Sequence, residues 1–400
     1  MKILWACPLF LHPTTKGGQI RTLETLRQLH RWHEVHFVAL DSADNREGIE
    51  RAGEYCSHVY PVKHRVPSKT SPAFVLQFTR GAFSSVPLAV SRFASPAMRD
   101  LIADLERRIG FDHIVCDFLA AAPNIPAIER AVLFQHNVET TIWERRESTA
   151  TNPLHQLVYS VQRQRMFAYE RDICQRARHV VAVSEEDARR MRSLFGVTRV
   201  SDVPTGVNIE HFAPPANAQT KHDLVFVGSM DWMPNVDGML YFISDVLPLI
   251  RRELAECRVA IVGRTPGKDI LDAAARDPLI TVTGTVPDTR PYLWESAVSI
   301  VPLRIGGGTR LKIYEAMAAK VPVVSTTVGA EGLPLESGRH VELADDAHEF
   351  AARCIELLRD TSARKRMADA AWSLVKANFS WEQAARRFED ALTKSAAAAI

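Results

Sequence analysis

Short runs of apolar, mostly β-branched residues alternate along the chain with stretches whose apolar positions recur every three or four residues. In the first half the runs read as strands at 3–6 (ILWA), 34–40 (EVHFVAL), 113–116 (HIVC), 131–136 (AVLFQH) and 179–184 (HVVAVS). Helices are predicted over 19–32, 97–109 and 154–177. In the second half strands read at 223–228, 258–263, 280–284, 298–303 and 321–326, separated by helical patterns at 235–254, 268–276, 289–296, 309–320 and 346–359. Strands that are apolar throughout and alternate with amphipathic helices predict parallel sheets covered on both faces. Four hundred residues exceed what one core supports. The expectation is therefore an α/β chain of two Rossmann-like, doubly wound domains facing each other across a cleft. The join is expected within 202–223, rich in Pro, Asn and Thr, giving an N-terminal domain over 1–205 and a second over 206–378. The Pro-, Ser- and Phe-rich stretch 62–95 reads as a loop or irregular helical insertion.

Composition narrows the function more than the fold. The chain is 46% apolar and 24% charged with formal net charge +2, which gives no footprint for nucleic acid. Residues 1–205 hold 27 Lys+Arg against 22 Asp+Glu and the remainder 22 against 25, so the first half carries the basic excess. That excess admits peripheral contact of the N-terminal domain with an anionic lipid surface. Six dispersed cysteines form no C-x-x-C pair and read as reduced core residues of a cytoplasmic protein. LWAC resembles a lipoprotein cleavage box, but six residues before Cys7 are too few for a leader, so a first buried strand is expected there. No apolar run approaches the ~20 residues of a membrane span. With no Asp-x-Asp and no His/Asp cluster at ligand spacing, neither a metal nor another cofactor is expected.

The loops after strands carry the candidate chemistry. Gly17-Gly18 stand directly before a predicted helix, where bare backbone is either an ordinary turn or a close approach to a phosphate or sugar. VGSMDWMPNVDG (227–238) offers Gly228 and Ser229 as backbone donors and Asn235 at the opening of the next helix; its plain reading is a capped βα loop. In IGGGTRLKIYEAMA (305–318), Gly306, Gly307 and Gly308 run into a helix with Thr309 as N-cap. Arg310 and Lys312 then lie at the positive end of the helix dipole, which costs ~0.3–1 kcal/mol each unless an anion is present. Lys312 and Glu315, three apart, share one helix face: phosphates suit the amides and cations, and ribose hydroxyls suit the carboxylate. His136 closes a strand at its carboxyl end and reads as structural or as functional. VSEEDARRMR (183–192) reads as a helix capped by Ser184.

Gly17-Gly18, TGVNIEHF at the join, and GGGTRLKIYEAMAAKVPVVST followed by VGAEGL together resemble a glycosyltransferase of family 4, with the GT-B fold and retention of configuration. FSWEQAARRFEDAL (379–392) is similar to the family's terminal helix, which implies that 379–400 packs back on the first domain. The resemblance implies a nucleotide-sugar donor on the second domain, a glycan or lipid-linked acceptor on the first, and a reaction without metal. Glu315 then matches the carboxylate on the donor ribose, His136 the histidine beside the donor sugar, and Gly17 and Gly18 the loop near the phosphates.

Two departures define a subset of the family with GGGTR and a PN loop. Gly307 stands where the first glutamate of the usual pair is expected, and the usual Arg and Lys are missing from GSMDWMPNVDG. Arg310 and Lys312 are expected to supply the charge on the leaving phosphate instead. Two other functions share these features: a nucleotide-sugar epimerase of the same fold, and a non-catalytic nucleotide-sugar-binding protein. The base is expected near GTVPD (284–288).

Overall fold

Seven parallel strands make the first sheet in the computed structural model, which describes residues 1–14, 17–41, 45–64, 86–148, 152–305 and 311–397. They are β1 (Lys2–Cys7), β2 (Glu34–Asp41), β3 (His58–Lys63), β4 (His113–Asp117), β5 (Ala131–Gln135), β6 (His179–Ala182) and β7 (Val200–Asp202), in the order β3-β2-β1-β4-β5-β6-β7. The order reverses between β1 and β4, the place where open α/β sheets bind ligands at their carboxyl ends. Trp5 of β1 lies level with Phe37 and Val115 and is fully buried, so the central strands are apolar on both faces. The helices are α1 (Gly17–Leu29), α2 (Pro96–Ile109), α3 (Glu139–Ser148), α4 (Pro153–Arg176) and α5 (Glu185–Phe195). Ser184 caps α5 by accepting from the Asp187 amide at 3.1 Å, as its sequence predicts.

The second sheet holds β8 (His222–Val227), β9 (Val259–Val262), β10 (Ile280–Val282), β11 (Ser296–Val301), β12 (Val323–Ser325) and β13 (Glu342–Leu343). All its pairs are parallel, in the order β10-β9-β8-β11-β12-β13, with the reversal between β8 and β11. Its helices include α6 (Met233–Tyr241), α7 (Leu247–Glu253), α8 (Lys268–Ala275), α9 (Leu311–Ala318), α10 (Ala347–Arg359) and α11 (Thr361–Asn378). The two sheets belong to separate compact units, one of Met1–Thr205 with Trp381–Ile400 and one of Gly206–Ser380. The last helix, α12 (Trp381–Ala397), therefore returns to the first unit. There the fully buried Phe388 ring sits 5.3 Å from Trp5 and 4.9 Å from Phe134.

Several elements differ from the sequence reading. The helix expected over 235–254 is two helices joined by a π turn at Phe242–Val246. Pro248 has no N–H to give the Ser244 carbonyl, and the ladder shifts to the wider spacing just before it. Strands β3, β7 and β13 and helices α3 and α11 are additional to those predicted. Gly17 and Gly18 lie inside the first turn of α1 rather than before it. Of the expected irregular stretch 62–95, residues 65–85 fall outside the described residues. No helix among the described residues is long and apolar enough to cross a membrane.

Candidate active-site residues

In the first unit, side chains from four elements meet at the sheet's reversal point. The Asp117 carboxylate, at the end of β4, accepts from the Trp5 indole at 3.1 Å, from Thr22 Oγ1 at 2.8 Å and from His136 Nε2 at 2.7 Å. Arg21 Nη1 of α1 lies 3.2 Å from His136 Nδ1, and its Nε donates to Thr205 Oγ1 at 2.8 Å. A guanidinium only donates, so His136 Nδ1 accepts and the ring proton sits on Nε2, facing Asp117. Burial pushes the His136 pKa down, against the charge of Asp117, which keeps the ring neutral with both nitrogens engaged. Burial also lowers Arg21 to about 10. His136 is thus no lone histidine but the middle of a buried Asp–His–Arg chain.

Phe118 stacks on the other face of His136, with ring centroids 3.9 Å apart and 12° between planes. Its φ of 67° is in the left-handed region, a strained backbone for a bulky residue. Gly18 is small because of this stack: a Cβ there would stand 2.9 Å from the Phe118 ring and 3.6 Å from His136 Nδ1. A Cβ on Gly17 would meet nothing within 4 Å. The loop carrying His136 is anchored from behind by Glu170 of α4. That carboxyl is fully buried and takes Gln135 Nε2 at 2.7 Å, the Glu139 amide at 2.8 Å, the Thr140 amide at 2.7 Å and Thr140 Oγ1 at 2.5 Å. Two of the orphan amides at the start of α3 are satisfied by this one side chain.

In the second unit the candidates gather where β8 and β11 diverge. Lys312, at the second position of α9, donates from Nζ to Asn235 Oδ1 at 2.7 Å and sits 4.3 Å over the Phe226 ring. Asn235 is buried at the start of α6 and turns its amide to the Ser229 carbonyl at 2.7 Å. Ser229 Oγ in turn receives Arg264 Nε at 2.8 Å and donates to Asp231 at 2.5 Å. Gly228 leaves room for this arrangement, because a Cβ there would be 2.8 Å from Lys312 Nζ, 2.9 Å from Asn235 Nδ2 and 2.9 Å from Phe226. Glu315 follows one turn behind Lys312. Burial raises its carboxyl to about 7, with the Lys312 charge pulling the other way.

The structure thus groups Gly18 with His136, and Gly228, Ser229, Asn235 and Lys312 with each other, with Glu315 next along the helix. Gly306, Gly307, Gly308, Thr309 and Arg310 lie outside the described residues. Arg21, Asp117, Phe118, Glu170 and Arg264 were not singled out from the sequence. Asp117 and Arg264 are charges that follow apolar runs, at or just past a strand's carboxyl end, which is the signal that could have flagged them. Arg264 also brings a cation to the loop that carries Ser229, and Thr265 beside it has a φ of 55°.

Both units match glycosyltransferase family models. Residues 15–211 match the family model described as Glycosyltransferase Family 4, and residues 221–360 match that described as Glycosyl transferases group 1. The chain is a glycosyltransferase of family 4 type built on the GT-B fold. Among solved structures it is similar to sucrose-phosphate synthase from Thermosynechococcus elongatus, with 16% identity, a TM-score of 0.74 and full coverage (100%) of both chains. It is also similar to Anabaena HepE in complex with UDP, with 14% identity, a TM-score of 0.69 and coverage of 98% of this chain and 100% of that one. A curated relative is an uncharacterized 44.6 kDa protein in the cps region of Klebsiella pneumoniae, 20% identical over 395 residues that span 93% of this chain and 94% of the relative.

Proposed function

We propose that the protein is a retaining glycosyltransferase that moves a sugar from a nucleoside-diphosphate donor to a glycan or lipid-linked acceptor during surface polysaccharide synthesis. The observation that carries this reading is the Lys312 ammonium, oriented by Asn235 and the Phe226 face beside the bare backbone of Gly228. When the bond from the anomeric carbon to the phosphate oxygen breaks, negative charge gathers on the departing diphosphate. A preoriented cation in a partly dry site stabilises that charge more than it stabilises the ground state. Arg264 adds charge to the Ser229 loop, and Arg310, two positions before Lys312 in the sequence, is proposed to add to it, so the step is proposed to need neither a divalent metal nor another cofactor. Glu315 would hold the ribose hydroxyls. His136 would position the donor sugar through a neutral ring fixed by Asp117 and Arg21. The GGGTR stretch, with Gly307 in place of a glutamate, would mark the subset in which cations near α9 take over from the usual loop. The UDP complex of HepE supports a uridine nucleotide as the first donor to try, and the cps-region relative supports a capsule-like glycan as product. A cytoplasmic protein touching the membrane surface through its first unit suits a lipid-linked acceptor.

The test is a thermal-shift panel of UDP, GDP, ADP, dTDP and their sugars, followed by turnover of Lys312→Ala and Arg310→Ala. One nucleotide family should stabilise the protein, by about 2.7 kcal/mol at 100 times its dissociation constant. Turnover should fall about 10²-fold or more in each variant with the fold intact. No shift with any nucleotide, or near-normal turnover in both variants, overturns the reading. Consumption of the donor with release of free nucleotide and no acceptor requirement would point to an epimerase instead.

A further inference from the structure

Among the described residues, one group of His, Cys, Asp or Glu side chains brings three potential ligand atoms within 4.8 Å of one another: Glu34, His36 and His58. It lies at the amino-terminal ends of β2 and β3, whereas the clusters described above lie at carboxyl ends. We propose that this group is a structural site for a transition-metal dication, best suited to Zn(II), that clips the edge strand β3 to β2.

The backbone builds the site. Glu34 and His36 are two apart on β2 and share one face of the sheet, and His58 is the direct cross-strand partner of His36. His36 Nε2 and Glu34 Oε1 are 2.9 Å apart, and His58 Nε2 is 3.6 Å from the same oxygen. Ligand atoms on a tetrahedral zinc with bonds of about 2.0–2.1 Å stand about 3.3 Å apart, so small rotations would seat the ion. The imidazole rings are 4.4 Å apart with 34° between planes, and they turn their Nε2 atoms to the same carboxylate. Two imidazoles and a carboxylate make a donor set suited to zinc, with water in the fourth position.

The surroundings hold the central ligand in place. The Tyr60 hydroxyl lies 3.0 Å from His36 Nδ1, the outer contact that fixes a ligating imidazole, and Phe111 meets the ring edge-on at 5.0 Å. His36 is buried while Glu34 and His58 are open to solvent, so an ion can enter without the sheet opening. The benefit falls on β3. It is the outermost strand and carries Pro61, which has no N–H for the ladder. An ion joining residues 34 and 36 to residue 58 would close the intervening chain into a loop and oppose fraying.

The experiment is calorimetric titration of chelator-stripped full-length protein with Zn(II) near neutral pH, repeated with His58→Ala and Glu34→Gln. Both substitutions are at solvent-facing side chains, and circular dichroism checks that the fold persists. The expected result is one saturable equivalent in the wild type, at least about tenfold weaker binding in each variant, and a zinc-dependent rise in melting temperature confined to the wild type. Absence of saturable binding overturns the proposal, and so does equal affinity in His58→Ala, which would assign the ion to other histidines. These readouts are independent of turnover.

Discussion

Glu315 is the candidate whose protonation is decided by its surroundings, because burial holds its carboxyl near 7 instead of 4.5. Between those values the folded state keeps a proton that the unfolded state has released, so stability falls as pH rises through that window and levels off above it. The penalty at pH 8 is on the order of 3 kcal/mol. Glu315→Gln removes it: in urea denaturation the variant should match the wild type near pH 4.5 and exceed it at pH 8. Glu139 is raised to about 7 as well, by burial and the Glu170 charge, and contributes a parallel slope that the comparison cancels. If Glu315 accepts ribose hydroxyls, nucleotide affinity of the wild type should also climb from pH 6 to 8 and stay low in the variant. A stability difference that does not change with pH sinks this account. At this scale the sequence is legible only where a residue breaks a local rule. Lys312 stands out because a cation opposes the helix dipole. Its partners Asn235 and Phe226 are 77 and 86 positions away and are joined to it only by the sheet order. Likewise His136 is visible at a strand's end, but its neutral form depends on Asp117 and Arg21, which only the packed topology delivers.

Among the described elements, α4 carries three exposed large apolar side chains in one stripe. Leu154, Leu157 and Val161, spaced i, i+3, i+7, are 67%, 62% and 38% exposed, while Met166 and Ile173 further along are buried. The unit that carries this stripe has the basic excess of the chain. Apolar side chains beside net positive charge fit a lipid surface with anionic headgroups. Flotation with vesicles should therefore show binding that needs anionic lipid and weakens with salt, and Leu154→Ser with Leu157→Ser should reduce it at least about tenfold. Equal binding by the double variant would remove α4 from the membrane contact. The sequence pattern is clearest where elements are buried on all sides: each of the ten predicted strands is present with ends shifted by a few residues. It is weakest where burial is partial. Strand β3 is an edge strand in which Val62 alone is buried and which carries a proline, and α11 buries Met367, Ala368, Ala371 and Val375, a face too rich in alanine to stand out as periodic.

For the molecule as a whole, the path of the chain makes the two units unequal in construction. The second is one continuous stretch, Gly206–Ser380, whereas the first is completed by the last helix after the chain has built the second. The two hydrophobic cores are separate sets of residues. Each unit should therefore melt as its own transition. Removing residues 381–400 takes from the first unit the buried Trp381, Phe388 and Leu392, and uncovers Trp5 and Phe134 beneath Phe388. Large buried side chains contribute about 2–5 kcal/mol each. Their sum approaches the whole stability of a domain, about 5–15 kcal/mol. The truncated chain should lose the first unit's transition in scanning calorimetry while the second persists. If the loops around Gly228 and Lys312 hold the nucleotide largely by themselves, it should still raise the surviving transition, since Gly228, Ser229, Asn235, Lys312 and Glu315 all lie in the second unit. Phe388→Ala is the milder form of the same test and should lower the first transition without moving the second. Loss of the nucleotide response on truncation would mean that the first unit contributes directly to donor binding.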